Sequence, residues 1–402
     1  MANTEAGTPL PHLGDYFKDL YHCSDCGYCV DAIWQERGIE HICATLGSHS
    51  PGLSYSGQGY IKLARAWLEG EELALPTLAE RVFSCTGCGN CERICPIGLR
   101  PMNINRALRR ELVDRDLAPQ SATGICANVS SQQNPGGAPF AERYAFVDRR
   151  AFAESAGVGA THQGAGAATI YLPGCAAAHA RPAEASAAVE LLAAAGIQVQ
   201  LLGDEDRCCG APLRELGFAA AARAQGAQLA ERLNARGYDL LLTSGCECAN
   251  TFIGMDRQRT FAAWLADAME QGGLRLAAAT ELPPGACMGR CQGTQATRAG
   301  NPDDNAALLR ILAALGVPVV GDAASPYRLC CGGSGGMAAS HPESSQAMAR
   351  ARIDAVAGAA ALVSVDPRCV AQLEAARTAD DPPVYGIAEF LRCHFTIAGG
   401  AA

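Results

Sequence analysis

The chain has 402 residues, 49% of them hydrophobic and only 18% charged, with a formal net charge of −9. That length calls for two to four domains with real cores, and such a hydrophobic share excludes wholesale disorder. The acidic balance argues against a nucleic-acid partner, which would want a basic face, and fits a protein that docks other proteins.

The first residues, MANTEAGTPLPHLGDYF, contain neither a basic stretch nor an apolar one, so no secretory signal is expected. The longest apolar runs, such as 355–365, reach about half a membrane span, so no direct span is expected either. These features suggest a cytoplasmic protein. Service to a membrane quinone pool would then need another subunit, which would hold this one at the periphery of the inner membrane. The sequence has 20 cysteines. In a reducing compartment so many thiols point to metal sites or redox chemistry rather than disulfides.

Residues 1–127 read as a mostly helical domain. IKLARAWLEG (61–70) and MNINRALRRELVD (102–114) both place apolar residues three and four apart, and no strand pattern intervenes. The sharpest motif of the chain lies between them: Cys85-TG-Cys88-GN-Cys91-ERI-Cys95-Pro96. Three thiolates from one tight loop grip three corners of a [4Fe–4S] cubane. In two-cluster ferredoxins the fourth cysteine serves the other cluster. An upstream partner, Cys23-SD-Cys26-GY-Cys29, has the same triple spacing, with its fourth member displaced to Cys43. With ligands crossing over, one cluster takes Cys23, Cys26, Cys29 and Cys95, and the other takes Cys85, Cys88, Cys91 and Cys43. Structural zinc prefers two C-x-x-C pairs, so this spacing favours a cubane. Cys126 has no partner spacing and reads as a buried small residue. His22, beside Cys23, reads as a surface histidine.

Residues 128–167 carry NVSSQQNPGGAPFAER and SAGVGATHQGAGAA, which is turn and linker chemistry, with some structure allowed around 140–152. From 168 the pattern alternates strand and helix. TIYLP (169–173) is a strand, 182–196 a helix, IQVQLL (197–202) a strand followed by RCCG, 218–236 a helix, and YDLLLTS (238–244) a strand running into GCEC. The order then recurs: a helix over 301–316, a strand over 317–320 before LCCGG, a helix over 342–358, and a strand over 361–365 before DPRC. Cys208 and Cys330 are 122 positions apart, 208 to 330, and Cys246 and Cys369 are 123 apart, 246 to 369. Such recurrence indicates a duplicated α/β domain, 168–280 and 281–402, whose copies pair with pseudo-two-fold symmetry.

The first repeat contributes Cys175, Cys208, Cys209, Cys246 and Cys248. The second contributes Cys291, Cys330, Cys331 and Cys369, with Cys287 close by. Adjacent cysteines make strained disulfides but plausible neighbouring metal ligands. Several follow strands, where open α/β sheets bind ligands. The alternative is a pair of degenerate repeats holding inert buried thiols. GGSGG (332–336) lacks the G-x-x-x-x-G-K pattern of a phosphate loop and leaves room for a cluster instead. The eight histidines show no paired spacing, and the acidic runs at 303–304 and 380–381 read as helix-start and loop charges. No catalytic triad or carboxylate pair stands out, and no catalytic residue is assigned.

The ferredoxin motif, the preceding LARAWLEGE, and LPGC, RCCG, LCCGGSGG and DPRC together resemble the D-type subunit of heterodisulfide reductase. They also resemble the wider family with cysteine-rich CCG domains. That family includes the iron–sulfur subunits of glycolate oxidase, of anaerobic glycerol-3-phosphate dehydrogenase and of the benzoyl-coenzyme A reductase complex. The resemblance implies a multidomain fold, an all-α helical ferredoxin domain joined to two α/β CCG domains. It implies two [4Fe–4S] clusters with room for one or two further, noncubane, [4Fe–4S] clusters in the repeats. Family members at their fullest read C…CC…C-x-x-C in each repeat and cleave a disulfide. Here the first repeat ends C-E-C, Asp366 stands where the second would have a cysteine, and PPGACMGRC replaces the usual His-Asp-Pro-Cys.

Three readings follow. The first is an electron-transfer subunit of a cytoplasmic oxidoreductase complex, partnered by a flavoprotein or another iron–sulfur subunit. The second is a thiol–disulfide reductase working at a noncubane cluster. The third is a scaffold whose repeats hold zinc or nothing.

Overall fold

A computed structural model describes residues 10–31, 41–50, 52–147, 169–252, 255, 257–279, 285–288, 304–320, 330–356 and 358–397, the side chains of 246 and 285–288 excepted. The chain divides into two compact units. One comprises Met1–Ala127, Pro212–Arg223 and Pro326–Arg352. The other comprises Asn128–Ala211, Ala224–Ser325 and Ile353–Ala402.

The first unit is helical, as the sequence leads one to expect: α1 (Pro11–Gly14), α2 (Phe17–Tyr21), α3 (Ala44–Ser48), α4 (Gly57–Leu68), α5 (Leu75–Phe83), α6 (Asn90–Ile94) and α7 (Pro101–Val113), with the start of α8 (Gln120–Gln132). Pro101 presets the first turn of α7. Ile104, Leu108 and Leu112 recur along one face of α7 and meet Tyr60 and Ile61 of α4 and Leu78 and Val82 of α5. Each such buried side chain stabilises the fold by roughly 1.5–3 kcal/mol. Helix α4 starts where Ser56 Oγ accepts the Gly59 N–H at 3.3 Å. The short helices Met337–Ser340 and Pro342–Asp354 bring the Cys330–Cys331 turn into the same unit, up to Arg352.

The second unit holds two parallel four-stranded sheets. In one, β1 (Thr169–Leu172) lies between β2 (Val199–Gln200) and β3 (Leu240–Thr243), and β4 (Gln258–Thr260) lies outside β3. In the other, β6 (Gly285–Met288) lies between β7 (Val319–Val320) and β8 (Ala361–Ser364), with β9 (Val384–Gly386) outside β8. The two sheets share one strand order. β5 (Leu276–Ala278) and β10 (Phe395–Ile397) pair antiparallel, Ala277 opposite Thr396. Buried on both faces, strands such as Thr169–Leu172 read as unbroken apolar runs.

Helices α9 (Pro182–Ala194) and α10 (Ala219–Arg236), then α11 (Cys246–Thr251) and α12 (Phe261–Glu270), belong to the first sheet. Helices α13 (Asp304–Ala314), α14 (Pro367–Ala376) and α15 (Ile387–His394) belong to the second. Their packing is reciprocal: α9 meets α15 and α12 meets α13, so the first helix of each repeat packs on the last helix of the other. The contacts build one shared core from Leu191, Leu192 and Trp264 with Ile311, Phe390 and Leu391. Buried acids join the helix starts. Glu184 of α9 accepts the N–H groups of Ala388 and Glu389 at 3.1 and 2.7 Å, and Asp304 of α13 accepts the hydroxyl of Thr260, the N-cap of α12.

The fold differs from the sequence expectation in places. The strands predicted over 197–202 and 317–320 shrink to two residues each. The segment read as linker from 128 begins as the end of α8, and Arg143 within it is buried. The hydrogen bonds that α8 carries on outweigh the polar composition there. Cys126 is only half-buried, because α8 presents it towards the surface. Residues 148–168 lie outside the described set, as does Cys291.

Candidate metal centres

The first unit gathers the ferredoxin cysteines into two groups. Cys23, Cys26 and Cys29 come from the loop after α2, and Cys95 follows α6. All four line one pocket, with Ile61 and Ile97 among its walls. Burial pushes the Cys29 thiol up to about 12, and the charges of Cys23, Cys26 and Cys95 add to the shift. The Leu99 N–H points at Cys95 Sγ at 3.3 Å. Asp25, beside Cys23, is held by Gln58 at 3.0 Å and Lys62 at 3.4 Å.

Cys43, the residue capping α3, joins Cys85, Cys88 and Cys91 from the loop leading into α6. Burial raises Cys43 to about 11, with the Cys85 charge adding to the rise. Burial also raises Cys88 and Cys91 well above the ordinary thiol value, and each feels both Cys85 and Cys43. The sets expected from crossing over, Cys95 with the upstream triple and Cys43 with the downstream one, are therefore the sets the fold brings together.

Arg109 holds the second loop, a role the sequence reading missed. Its guanidinium is fully buried and donates five hydrogen bonds, all to carbonyls: two to Val82, one to Cys85 at 2.6 Å, and one each to Glu215 and Gly335 at 2.9 and 3.0 Å. All five acceptors are neutral carbonyls, and the guanidinium charge acts on Cys85, Tyr60 and the Glu215 carboxylate. Gly335 sits at φ +65°, and a Cβ there would meet Cys85 O at 2.5 Å. Cys330 lies beside Cys88, in a pocket with Ala44, Met337 and Met348.

In the second unit Cys175, Cys208, Cys209 and Cys248 lie close enough to influence one another's titration. The Cys208 thiol faces Cys175 and Cys209, and the Cys248 thiol faces Cys209. The neighbouring thiols, Cys208 for both and Cys248 for Cys209, hold Cys175 and Cys209 below the ordinary thiol value. Arg143 assists, its Nη1 donating to Cys175 Sγ at 3.6 Å. Asp206 binds Arg143 at 2.7 Å and accepts the Tyr144 hydroxyl at 2.6 Å. His179 Nε2 is buried without a hydrogen-bond partner among the described residues. Arg143 was hidden in a segment whose composition reads as linker, and only Asp206, just before the RCC run, could have hinted at a buried cation. The side chain of Cys246 lies outside the described set.

The second repeat repeats the turn. Gly210 N–H donates to Cys208 Sγ and Gly332 N–H to Cys330 Sγ, both at 3.4 Å. The glycines have φ +80° and +83°, a region that only glycine enters cheaply. Cys330, Cys331 and Cys369 are buried. Asp366 caps α14, accepting the Arg368 N–H at 3.0 Å. That bond explains an aspartate where the resemblance expects a cysteine.

The donor sets suit iron–sulfur clusters. Grouped, buried thiols with raised proton affinity need cations before they ionise together, and all-sulfur sets select zinc or iron–sulfur clusters. N–H groups aimed at sulfur suit clusters especially.

Known proteins agree. Residues 19–99 match the 4Fe-4S dicluster domain, and residues 169–253 and 286–374 each match the cysteine-rich domain. The D-type subunit of the dihydromethanophenazine:CoB--CoM heterodisulfide reductase of Methanosarcina acetivorans is 26% identical over 215 residues, 50% of this chain and 47% of that protein. Its counterpart in Methanosarcina barkeri is 27% identical over 216 residues, 50% of this chain and 47% of that protein. This is an iron–sulfur protein homologous to the D-type subunit of heterodisulfide reductase. The homologous stretch spans about half the length of these relatives. The EtfAB:quinone oxidoreductase of Syntrophomonas wolfei is 30% identical over 145 residues, 35% of this chain and 20% of that protein. Among the described residues no helix is long and apolar enough to cross a membrane.

Proposed function

We propose that this chain is the electron-transfer subunit of an oxidoreductase complex. Cys23, Cys26, Cys29 and Cys95 hold one [4Fe–4S] cubane, and Cys43, Cys85, Cys88 and Cys91 hold the other. The observation that supports this reading is that Cys95 lines the pocket of the upstream triple and Cys43 lies near Cys85, an arrangement that zinc pairs do not need. When bound, the clusters supply one-electron redox chemistry at fixed positions. Arg109 opposes the negative charge that reduction adds at the second group. The pocket of the first group opens beside Ile97, which is 53% exposed, and Phe17, 58% exposed, lies on the same unit. This apolar surface suits a docking redox partner. In this proposal its partners are a flavoprotein or another iron–sulfur subunit and, as the quinone oxidoreductase name of one relative supports, a quinone-linked subunit that holds it at a membrane from the cytoplasm.

Residues 1–127, 168–280 and 281–402 serve as the ferredoxin domain and two CCG domains. The reciprocal packing and shared strand order support a pseudo-two-fold relation between the CCG pair. Cys175, Cys208, Cys209 and Cys248 would hold a third, noncubane, cluster as the far terminus of the relay. Cys246 is a further candidate ligand there, and Cys291, Cys330, Cys331 and Cys369 are candidates for a fourth cluster.

A second reading, thiol–disulfide reduction at the Cys175 group, is favoured by one observation. The Arg143 guanidinium lies against Cys175 Sγ at 3.6 Å, where it would stabilise a thiolate released there.

Iron and acid-labile sulfide per chain, on protein purified without oxygen, test both readings. About eight irons fit a two-cubane relay and remove the second reading. About 12–16 irons place clusters in the repeats as well, and disulfide-dependent spectral changes then decide the chemistry. Iron below about four per chain would overturn the relay.

A further inference from the structure

His49, Glu80 and His341 come from three separate segments of the first unit: the C-cap of α3, helix α5 and the C-cap of the helix Met337–Ser340. Their nearest ligand atoms all lie within 4.8 Å of one another. His49 Nε2 is 3.4 Å and His341 Nε2 3.9 Å from the same carboxylate oxygen, Glu80 Oε1. The opposite ring nitrogens are both engaged: His49 Nδ1 lies 2.7 Å from Ser344 Oγ and His341 Nδ1 lies 2.9 Å from Ser340 Oγ. Tyr55 donates its hydroxyl to the other carboxylate oxygen at 2.7 Å.

This is the wiring of a metal site. Metal-bound histidines use one ring nitrogen on the ion and donate the other N–H to an outer partner, which fixes tautomer and orientation. Both serines lie on the Nδ1 side and both Nε2 atoms face one carboxylate oxygen, so an ion there would take the Nε2 lone pairs with the ring protons on Nδ1. Two imidazoles and a carboxylate around a tetrahedral ion, with bonds of about 2.0–2.2 Å, lie roughly 3.3–3.5 Å apart. One of the two nitrogen–oxygen distances already meets that separation and the other exceeds it by about half an ångström, within side-chain reach. Glu80 is 42% exposed, which leaves a fourth position to water.

We propose that His49, Glu80 and His341 bind one divalent first-row transition metal, zinc in the first instance, at a site separate from every cysteine group. Imidazole and carboxylate donors suit zinc better than the hard cations magnesium and calcium. Three protein ligands plus water is a known zinc arrangement. The ion would clasp the segment after Cys43 to the segment after Cys330–Cys331, across a long stretch of chain.

The test uses the anaerobic, iron-loaded protein, so that the cysteines are engaged. One equivalent of Zn²⁺ is added, and X-ray absorption at the zinc edge reads the ligands while iron content is measured alongside. The expected result is one zinc with nitrogen and oxygen neighbours at about 2.0–2.1 Å, imidazole outer scattering, and unchanged iron. Ser344→Ala, which leaves all three ligands in place, should weaken zinc binding about 10–100-fold. The double variant His49→Ala with His341→Ala should abolish it at unchanged iron content. Absence of zinc uptake by the parent protein would overturn the proposal and leave a simple His–Glu hydrogen-bond cluster. Sulfur neighbours near 2.3 Å, or zinc binding undiminished by Ser344→Ala, would equally overturn it.

Discussion

Arg143 Nε donates to Asp206 Oδ2 at 2.7 Å, and both side chains are withdrawn almost wholly from solvent. The pair stands beside Cys175 and sets the charge around the first CCG thiols. Removing one partner leaves the other charge buried alone. Arg143→Met should destabilise the second unit by about 3–5 kcal/mol. It should also lose the iron bound in that repeat while the ferredoxin iron stays. Melting curves and iron content check this. An unchanged melting point would show that the pair is dispensable.

The proposed exchange of fourth cysteines makes a sharp prediction. Cys95→Ser should remove the same paramagnetic signal as Cys29→Ser, although Cys95 is only four positions from Cys91. Cys43→Ser should match Cys88→Ser. Each variant is expected to lose about four irons. Low-temperature electron paramagnetic resonance of the reduced protein distinguishes the signals. Pairing of Cys95 with Cys91 instead would mean that the ligands do not cross.

Arg109→Leu should be among the most damaging substitutions outside the cysteines. It leaves the carbonyls of Val82, Cys85, Glu215 and Gly335 without this donor. Unsatisfied buried groups cost about 1–3 kcal/mol each, so several kcal/mol are at stake. The loss of positive charge should also make the second cluster harder to reduce. A redox titration of Arg109→Lys, which retains charge but not the planar fork, separates the two effects.

Glu184 introduces a pH dependence. Burial raises its folded value to about 7, against an ordinary 4.5, with the charge of Glu389 adding to the rise. Between those values the folded chain holds a proton that the unfolded chain has released. Stability contributed by this group is therefore complete below about pH 4.5, falls as pH rises, and levels off above 7. The change is about 3 kcal/mol. Glu184→Gln should flatten this fall, its single carbonyl oxygen keeping one of the two N–H groups. Parallel melting profiles for the two proteins from pH 5 to 8 would refute the assignment.

Much of this was legible in the chain. Spacing marked the two cysteine triples, because a tight loop and a cubane admit few arrangements, while Cys95 and Cys43 were assigned from the two-cluster ferredoxin pattern. Alternation of apolar runs placed β1, β3 and β8 within a residue or two. The elements RTFAAWL and YGIAEFL, which form β4–α12 and β9–α15, carry no such signal. Their strands are three residues long, too short for periodicity to register. Arg109, Arg143 and the pair His49–His341 were invisible for another reason. Their meaning lies in partners far along the chain, and no local pattern records a long-range hydrogen bond.

The interlocked helix starts have a consequence for the protein's history. Each repeat lends its first helix to seat the other's last, so neither half is a free-standing object. Once such halves depend on each other for shape, one can lose its chemistry without being deleted. Asp366 shows what such a domain still has to do: its side chain starts a helix of the half that helps keep its twin in shape.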